Sequence, residues 1–178
     1  MKTRAIILKK QDVNEYDQLV ICYTEELGKV TAIAKGILRP KSIQSMHLDL
    51  FNLVEFELVA GRAMPIITGA QAEELHLKLK KNLKCLAVAY SFADAADKIF
   101  FEHQKDVKLW NFFDSLLKEL DMTPEDMRSF MQVKQVDFMD ILGYGTGSSG
   151  YTAYGALAQR KMYSLNFFDL VMDLGVEV

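Results

Sequence analysis

The stretch Thr24-Glu25-Glu26-Leu27-Gly28-Lys29-Val30-Thr31-Ala32-Ile33-Ala34-Lys35-Gly36-Ile37-Leu38-Arg39-Pro40-Lys41-Ser42 decides how this chain reads. A polar turn at Glu25, Glu26 and Gly28 leads into a short apolar strand from Lys29 to Lys35. Within it Val30, Ala32 and Ala34 share one face by period two. Gly36 stops the strand, and the loop beyond carries Arg39 and Lys41, stiffened by Pro40. A strand of this kind can keep one face in a core while its terminal loop offers positive charge to a polyanion.

Working outward, residues 3–8 (Thr-Arg-Ala-Ile-Ile-Leu) are apolar and β-branched enough for a strand, Gln11 to Asp17 is a polar turn, and Leu19 to Thr24 is a second strand. Beyond the basic loop, Leu48 to Val59 reads as one long strand, with Val54, Phe56 and Leu58 pointing one way and Glu55 and Glu57 the other. Gly61 and Arg62 make a turn, and Met64 to Ala70 supplies a fifth strand with Pro65 near its start. Five short strands in about seventy residues predict a small closed barrel, for which an OB-fold and an SH3-like barrel fit almost equally well.

From Glu73 the apolar period changes to three or four: Leu75, Leu79, Leu83, Leu86 and Tyr90 predict one helix running to about Phe101. A second follows Asp106, with Leu109, Phe112, Phe113, Leu116, Leu117 and Leu120 on its apolar side. A third opens at Thr123-Pro124-Glu125-Asp126, where Thr123 is expected to cap and Asp126 to bond back to it. Met127, Phe130, Met131, Phe138 and Ile141 form its stripe, and Gly143 ends it. Gly143 to Gly150 reads as a flexible linker, and a weakly patterned helical tail includes Leu165, Phe168, Leu170 and Val171. The expectation is an α+β protein: a barrel domain over 1–78, with the changeover near Glu74–Lys78, and an all-α domain over 79–178.

Half of the 178 residues are apolar and a quarter charged, the balance of a globular protein. No apolar run is long enough for a membrane span, and the N-terminus lacks the apolar segment of a signal peptide, so a cytoplasmic protein is expected. Cys22 and Cys85 sit in apolar surroundings and read as reduced core residues. With His47, His76 and His103 scattered, they predict no metal site. Neither adjacent acid pair, Glu25–Glu26 or Glu73–Glu74, is placed for general acid–base work, and no serine or histidine pattern suggests a nucleophile. The Gly143–Gly150 loop matches neither phosphate-binding glycine signature. No enzyme and no cofactor are expected.

Net charge is −3, but residues 1–42 hold eight Lys/Arg against five acids and the remainder thirteen against nineteen. The candidate DNA-binding residues are Arg4, Lys9, Lys10, Lys29, Lys35, Arg39 and Lys41, which can line one side of a barrel and track phosphates. Charge alone favours a plainer reading, a scatter of solvated lysines. Tyr23 and Phe51 can in principle stack bases, but aromatics on alternating strands are more often core, and they are assigned there.

The order of residues resembles the RecO family of bacterial recombination-mediator and DNA-repair proteins. The resemblance runs through Thr3-Arg4-Ala5-Ile6-Ile7-Leu8, Thr24-Glu25-Glu26-Leu27-Gly28-Lys29-Val30, and Ala34-Lys35-Gly36 with Arg39-Pro40-Lys41-Ser42. It continues through Val54-Glu55-Phe56-Glu57-Leu58, the Leu83, Leu86, Ala87 and Tyr90 helix, and Leu142-Gly143-Tyr144. It implies an N-terminal OB-fold followed by a helical domain, with no catalytic centre. It further implies binding of single- and double-stranded DNA, annealing of complementary strands and, with RecR, loading of RecA onto strands coated by single-stranded DNA-binding protein. That places the protein in the cytoplasm, at the nucleoid. DNA contact carries over to Arg4, Lys29, Lys35, Arg39 and Lys41; Lys9 and Lys10 rest on charge and position alone. Many members carry a four-cysteine zinc module after Leu-Gly-Tyr, where this chain has Gly145-Thr146-Gly147-Ser148-Ser149-Gly150. The chain is also shorter than most members, so a reduced helical part is expected. A protein–protein adaptor whose basic residues are only surface is the rival reading.

Overall fold

Alternating apolar side chains roll the N-terminal strands into a barrel in the computed structural model, which describes residues 1–145, 154, 156 and 163–173. The strands are β1 (Lys2–Asp12), β2 (Gln18–Thr24), β3 (Gly28–Ala34), β4 (Leu53–Val59) and β5 (Ile66–Glu74). Their order is β1-β2-β3-β5-β4, with β4 paired back onto β1. All pairings are antiparallel except β3 with β5, which run parallel through Ile33 opposite Ile66 and Ala34 opposite Ile67. This closed five-stranded Greek-key arrangement is that of the OB-fold. Its interior is built by period two: Ala5 and Ile7, Val20 and Cys22, Val30, Ala32 and Ala34, and Val54, Phe56 and Leu58 are all buried in one cluster, plugged by Ile37 and Leu48.

Three strand boundaries differ from the sequence reading by more than two residues. β1 runs on to Asp12 and β5 to Glu74. Residues 48–52, expected as strand, instead turn into the barrel, and β4 begins only at Leu53. The cause is Asn52, whose buried Nδ2 donates to the carbonyls of Met46 (3.0 Å) and His47 (2.9 Å) and closes a short helix, α1 (Gln44–His47). Leu48 and Phe51 reach the core from this turn, Phe51 at a φ of 61°. An apolar run records burial, and burial does not require a strand.

The chain divides into two compact units: residues 1–75 with 100–110, and residues 76–99 with the chain from Asn111 on. In the first unit, the segment after Ile99 returns to the β2–β3 turn. The His103 amide donates to the Lys29 carbonyl (2.9 Å), Lys105 Nζ meets Glu26 Oε2 at 2.8 Å, and the Tyr23 hydroxyl donates to the Asp106 carbonyl (3.3 Å). Phe100 packs edge-on to Tyr23 at 5.6 Å. Gly28 permits this approach: its φ is +71°, and a Cβ there would run into the Gln104 carbonyl.

The second unit contains α2 (Leu77–Lys81), α3 (Leu83–Ile99), most of α4 (Val107–Asp121), α5 (Met127–Ile141) and α6 (Tyr163–Asp173). The single helix expected from Leu75 to Phe101 is broken at Asn82, whose backbone is extended and whose Oδ1 accepts from the amides of Lys84 and Cys85. The break resets the helical phase. Tyr90 of the expected stripe is therefore exposed, while Ala87, Ala89, Phe92, Ala93, Ala95 and Ala96 are buried; Leu75, exposed as well, precedes α2 and lies in no helix. Phe92 meets the rings of Phe112, Phe138 and Tyr154 at 5.4–5.7 Å, and Phe138 also meets Phe112, Phe113 and Tyr154. Asp126, not Thr123, caps α5, accepting from the Ser129 amide at 3.1 Å. Thr123 is held in the left-handed region (φ 52°) behind the end of α4, so its side chain is not placed to cap. After α5, the Tyr144 and Gly143 amides return to the Met139 and Asp140 carbonyls, a Schellman close. Residues 146–150 of the expected linker lie outside the described residues. Cys22 and Cys85 are both buried and free. Burial raises both thiols, Cys85 to about 11, so neither ionises readily near neutral pH.

Candidate nucleic-acid interface

Sharp turns at the two ends of the barrel sort the basic residues into two groups. At one end, the β1–β2 turn (residues 13–17) and the loop leaving β3 (residues 35–42) are stitched together. Asn14 Oδ1 accepts from the amides of Tyr16 (3.0 Å) and Asp17 (2.8 Å), an Asx turn that sets the first loop. Asp17 Oδ1 then accepts the Gly36 amide at 2.7 Å, and the Leu38 amide donates to the Tyr16 carbonyl at 3.0 Å. Gly36 turns the chain at a φ of +67°, and the Arg39 amide closes back onto its carbonyl at 3.2 Å. The Asn14 amide and then the Gly36 amide hold the Asp17 carboxyl below its ordinary value, with Lys35 and Arg39 adding to the effect.

The stitching leaves Lys35, Arg39 and Lys41 all exposed on adjoining turns. The Arg39 guanidinium lies over the Tyr16 ring, 5.4 Å from its centroid. Tyr16, Arg39, Pro40 and Lys41 together line a shallow depression. Tyr16 is 40% exposed, and its hydroxyl donates to Glu15 Oε1 at 2.6 Å, which raises its pKa. Lys9 is exposed on the outer part of β1, and Lys10 beside it meets Asp49 at 3.2 Å.

Arg4 and Lys29 belong to the other end. Arg4 Nε meets Glu73 Oε2 at 2.9 Å, its Nη1 lies 3.6 Å from Glu25, and its guanidinium sits 5.7 Å from the Trp110 ring centroid. Lys29 is 7% exposed, with its carbonyl bonded to the 100–106 segment. The structure thus brings Lys35, Arg39 and Lys41 together and separates them from Arg4 and Lys29. Tyr23 and Phe51 are both buried, Tyr23 behind Phe100 and Asp106.

Two residues went unranked in the sequence. Tyr16 sits in a turn read only as polar, and its pairing with Arg39 spans 23 positions that only the fold closes. Arg62 stands exposed in the β4–β5 turn, which is stitched to β3 by the Ile33 amide donating to the Pro65 carbonyl at 2.9 Å. That turn and the β1–β2 turn are the loops through which OB-folds hold oligonucleotides. Among the described residues, no group of three or more His, Cys, Asp or Glu side chains is placed to hold a metal ion. No helix among them is long and apolar enough to cross a membrane.

Residues 1–76, the barrel strands and the loops just described, match the family described as "Recombination protein O N terminal". The chain belongs to the RecO family. Similar relatives extend the match into the helices. The DNA repair protein RecO of Dehalococcoides mccartyi (strain 195) is 32% identical over 124 residues, covering 70% of this chain and 49% of the relative. That of Thermoanaerobacter sp. (strain X514) is 30% identical over 164 residues, covering 92% and 66%. That of Acetivibrio thermocellus is 25% identical over 163 residues, covering 92% and 65%. The chain therefore spans between about half and two thirds of the length of these RecO relatives. Its barrel is the part that the RecO family model describes, and it carries the Lys35–Arg39–Lys41 cluster.

Proposed function

We propose that this chain acts in DNA repair and recombination by holding DNA phosphates along Lys35, Arg39 and Lys41. The observation that carries the reading is Arg39 set over Tyr16 between two loops that Asp17 pins, with Lys35 and Lys41 exposed beside it. Three cations on one short, hydrogen-bonded loop can meet neighbouring phosphates without first paying to order a flexible segment. Lys9 and Lys10 extend the surface along β1, and Arg62 on the β4–β5 turn is a further contact. Arg4 and Lys29, engaged at the other end, are given a structural role. Family membership supports the finer steps: binding of single- and double-stranded DNA, annealing of complementary strands and, with RecR, loading of RecA on strands coated by single-stranded DNA-binding protein. The barrel unit, residues 1–75 with 100–110, holds DNA, and the helical unit packs and meets partner proteins. No bond-making step is part of this role, and its place is the cytoplasm at the nucleoid.

The test is an electrophoretic shift titration with single-stranded DNA at two salt concentrations. Log affinity should fall with log salt at a slope of roughly −0.7 per phosphate contact. A flat response would favour an adaptor that meets only proteins.

A further inference from the structure

Directly after the basic loop, α1 and the Ile43 that precedes it present two large apolar side chains to water. Ile43 is 70% exposed and Met46 67% exposed, three positions apart and so on one side of a single helical turn. Neither serves the core. The apolar anchors of this segment are Ile37 on one side of it and Leu48 on the other, both buried. Nor is α1 a loose excursion that has failed to find its place. The buried Asn52 amide holds the Met46 and His47 carbonyls, His47 Nδ1 accepts the Ala72 amide at 3.2 Å, and Gln44 Nε2 donates to the Thr68 carbonyl at 3.3 Å. The Ser45 hydroxyl donates to the Ser42 carbonyl at 2.9 Å, and the Ser42 amide to the Arg39 carbonyl at 2.9 Å, so the basic loop and α1 form one continuous hydrogen-bonded unit.

We infer that Ile43 and Met46, directly after the basic loop, form a base-contacting strip that makes this surface select unpaired strands over duplex. The inference rests on the DNA-binding reading above and names its substrate class. A held apolar pair next to Lys41 and Arg39 fits a ligand that alternates negative charge with flat apolar faces. Single-stranded nucleic acid has that character, since its bases are free to rest on apolar and aromatic side chains while the phosphates follow the cations. In duplex DNA the same faces are stacked inside and only phosphates and groove edges are offered. The cations alone therefore bind both forms, and the apolar strip adds affinity for one.

The experiment compares affinities for an unpaired oligonucleotide and a duplex of equal length, using the full chain, the double variant Ile43→Ser with Met46→Ser, and Lys35→Gln with Arg39→Gln and Lys41→Gln. The apolar double variant should lose about five- to tenfold in single-strand affinity while duplex affinity stays within about twofold. The charge variant should lose affinity for both forms. If the double variant melts like the parent and its single-strand to duplex ratio is unchanged, the strip does not contact bases, and the DNA-binding reading stands. Equal loss on both forms would make the pair a general support of the loop, and this too overturns the inference. A parent chain that binds neither form overturns the reading and the inference together. If the double variant melts below the parent, the conservative pair Ile43→Thr and Met46→Gln is compared in its place under the same criteria.

Discussion

The Arg39 guanidinium lies 5.4 Å from the centroid of the Tyr16 ring, although the two residues stand on different loops. An arginine on an exposed loop ordinarily samples many rotamers. Here the ring limits it to one side, while Asp17 and Gly36 fix the two loops beneath. The pairing leaves the guanidinium's hydrogen-bond donors available, because a ring face occupies the cation without accepting strong hydrogen bonds.

Replacing Tyr16 tests this support. Tyr16→Ala should weaken DNA binding several-fold at unchanged fold stability, since exposed cation–π pairs contribute only about 0.5–1 kcal/mol. Tyr16→Phe keeps the ring and should bind nearly as the parent does. Fluorescence anisotropy with a labelled oligonucleotide reads both, and equal loss in the two variants would show that the hydroxyl rather than the ring matters.

The triple variant Lys35→Gln, Arg39→Gln, Lys41→Gln should weaken binding and flatten the salt dependence by roughly one phosphate contact per residue removed. Its unfolding free energy should stay within about 0.5 kcal/mol of the parent, as exposed charges contribute little. Arg4→Gln should do the reverse, leaving the salt slope in place while loosening the Glu73 and Glu25 contacts. Urea melts and anisotropy together distinguish the two patterns, and an Arg4 variant with a reduced salt slope would return that residue to the DNA site.

Asp17 makes the loop junction sensitive to acid. Its carboxyl titrates below its ordinary value of 3.8 because the Asn14 and Gly36 amides favour the charged form. The folded pKa is depressed, so this stabilisation is fully present above that ordinary value and is lost as pH falls through the lower folded one. The melting-temperature gap between the parent and Asp17→Asn should therefore be present at neutral pH and close progressively as pH falls below the ordinary carboxylate value of 3.8. A gap that persists unchanged in acid would mean that the carboxylate charge is not what pins Gly36.

Gly28 and Gly69 provide a paired test of the barrel end covered by residues 100–106. Gly28→Ala places a Cβ against the Gln104 carbonyl at a positive φ, and should destabilise by about 2 kcal/mol or more. Gly69→Ala meets nothing within 4 Å and should leave stability within about 0.5 kcal/mol. Chemical denaturation of the two variants reads the difference. Equal, small effects would show that the returning segment does not press on the β2–β3 turn.

Phe92→Ala removes a fully buried ring that meets three others in the helical aromatic cluster and should cost about 3–5 kcal/mol. Near-ultraviolet circular dichroism and a denaturant melt would show it. A loss below about 1 kcal/mol would mean that Phe112, Phe138 and Tyr154 close over the gap.

Much of the architecture is legible without coordinates, because period two and period 3.6 are local properties of a chain. Val30, Ala32 and Ala34, or Val54, Phe56 and Leu58, face the barrel interior as their alternation predicts. Leu109, Phe112, Phe113, Leu116, Leu117 and Leu120 are buried as theirs does. Gly36 and Pro40 mark the basic loop, and its cations are visible by inspection. What the chain conceals are the places where one side chain's hydrogen bonds override a pattern. Asn52 folds an apolar run into a turn, Asn82 splits a helix and shifts its buried face, and Asp126 takes the cap from Thr123. The barrel strands, the apolar helix stripes and the charge on one loop follow from residue type and spacing. Which cations share a surface does not, because it waits on the closing of the barrel. Barrel closure carries Tyr16 to Arg39 and sends Arg4 to Glu73, and pairings across 23 and 69 positions depend on strand register, which no local pattern encodes.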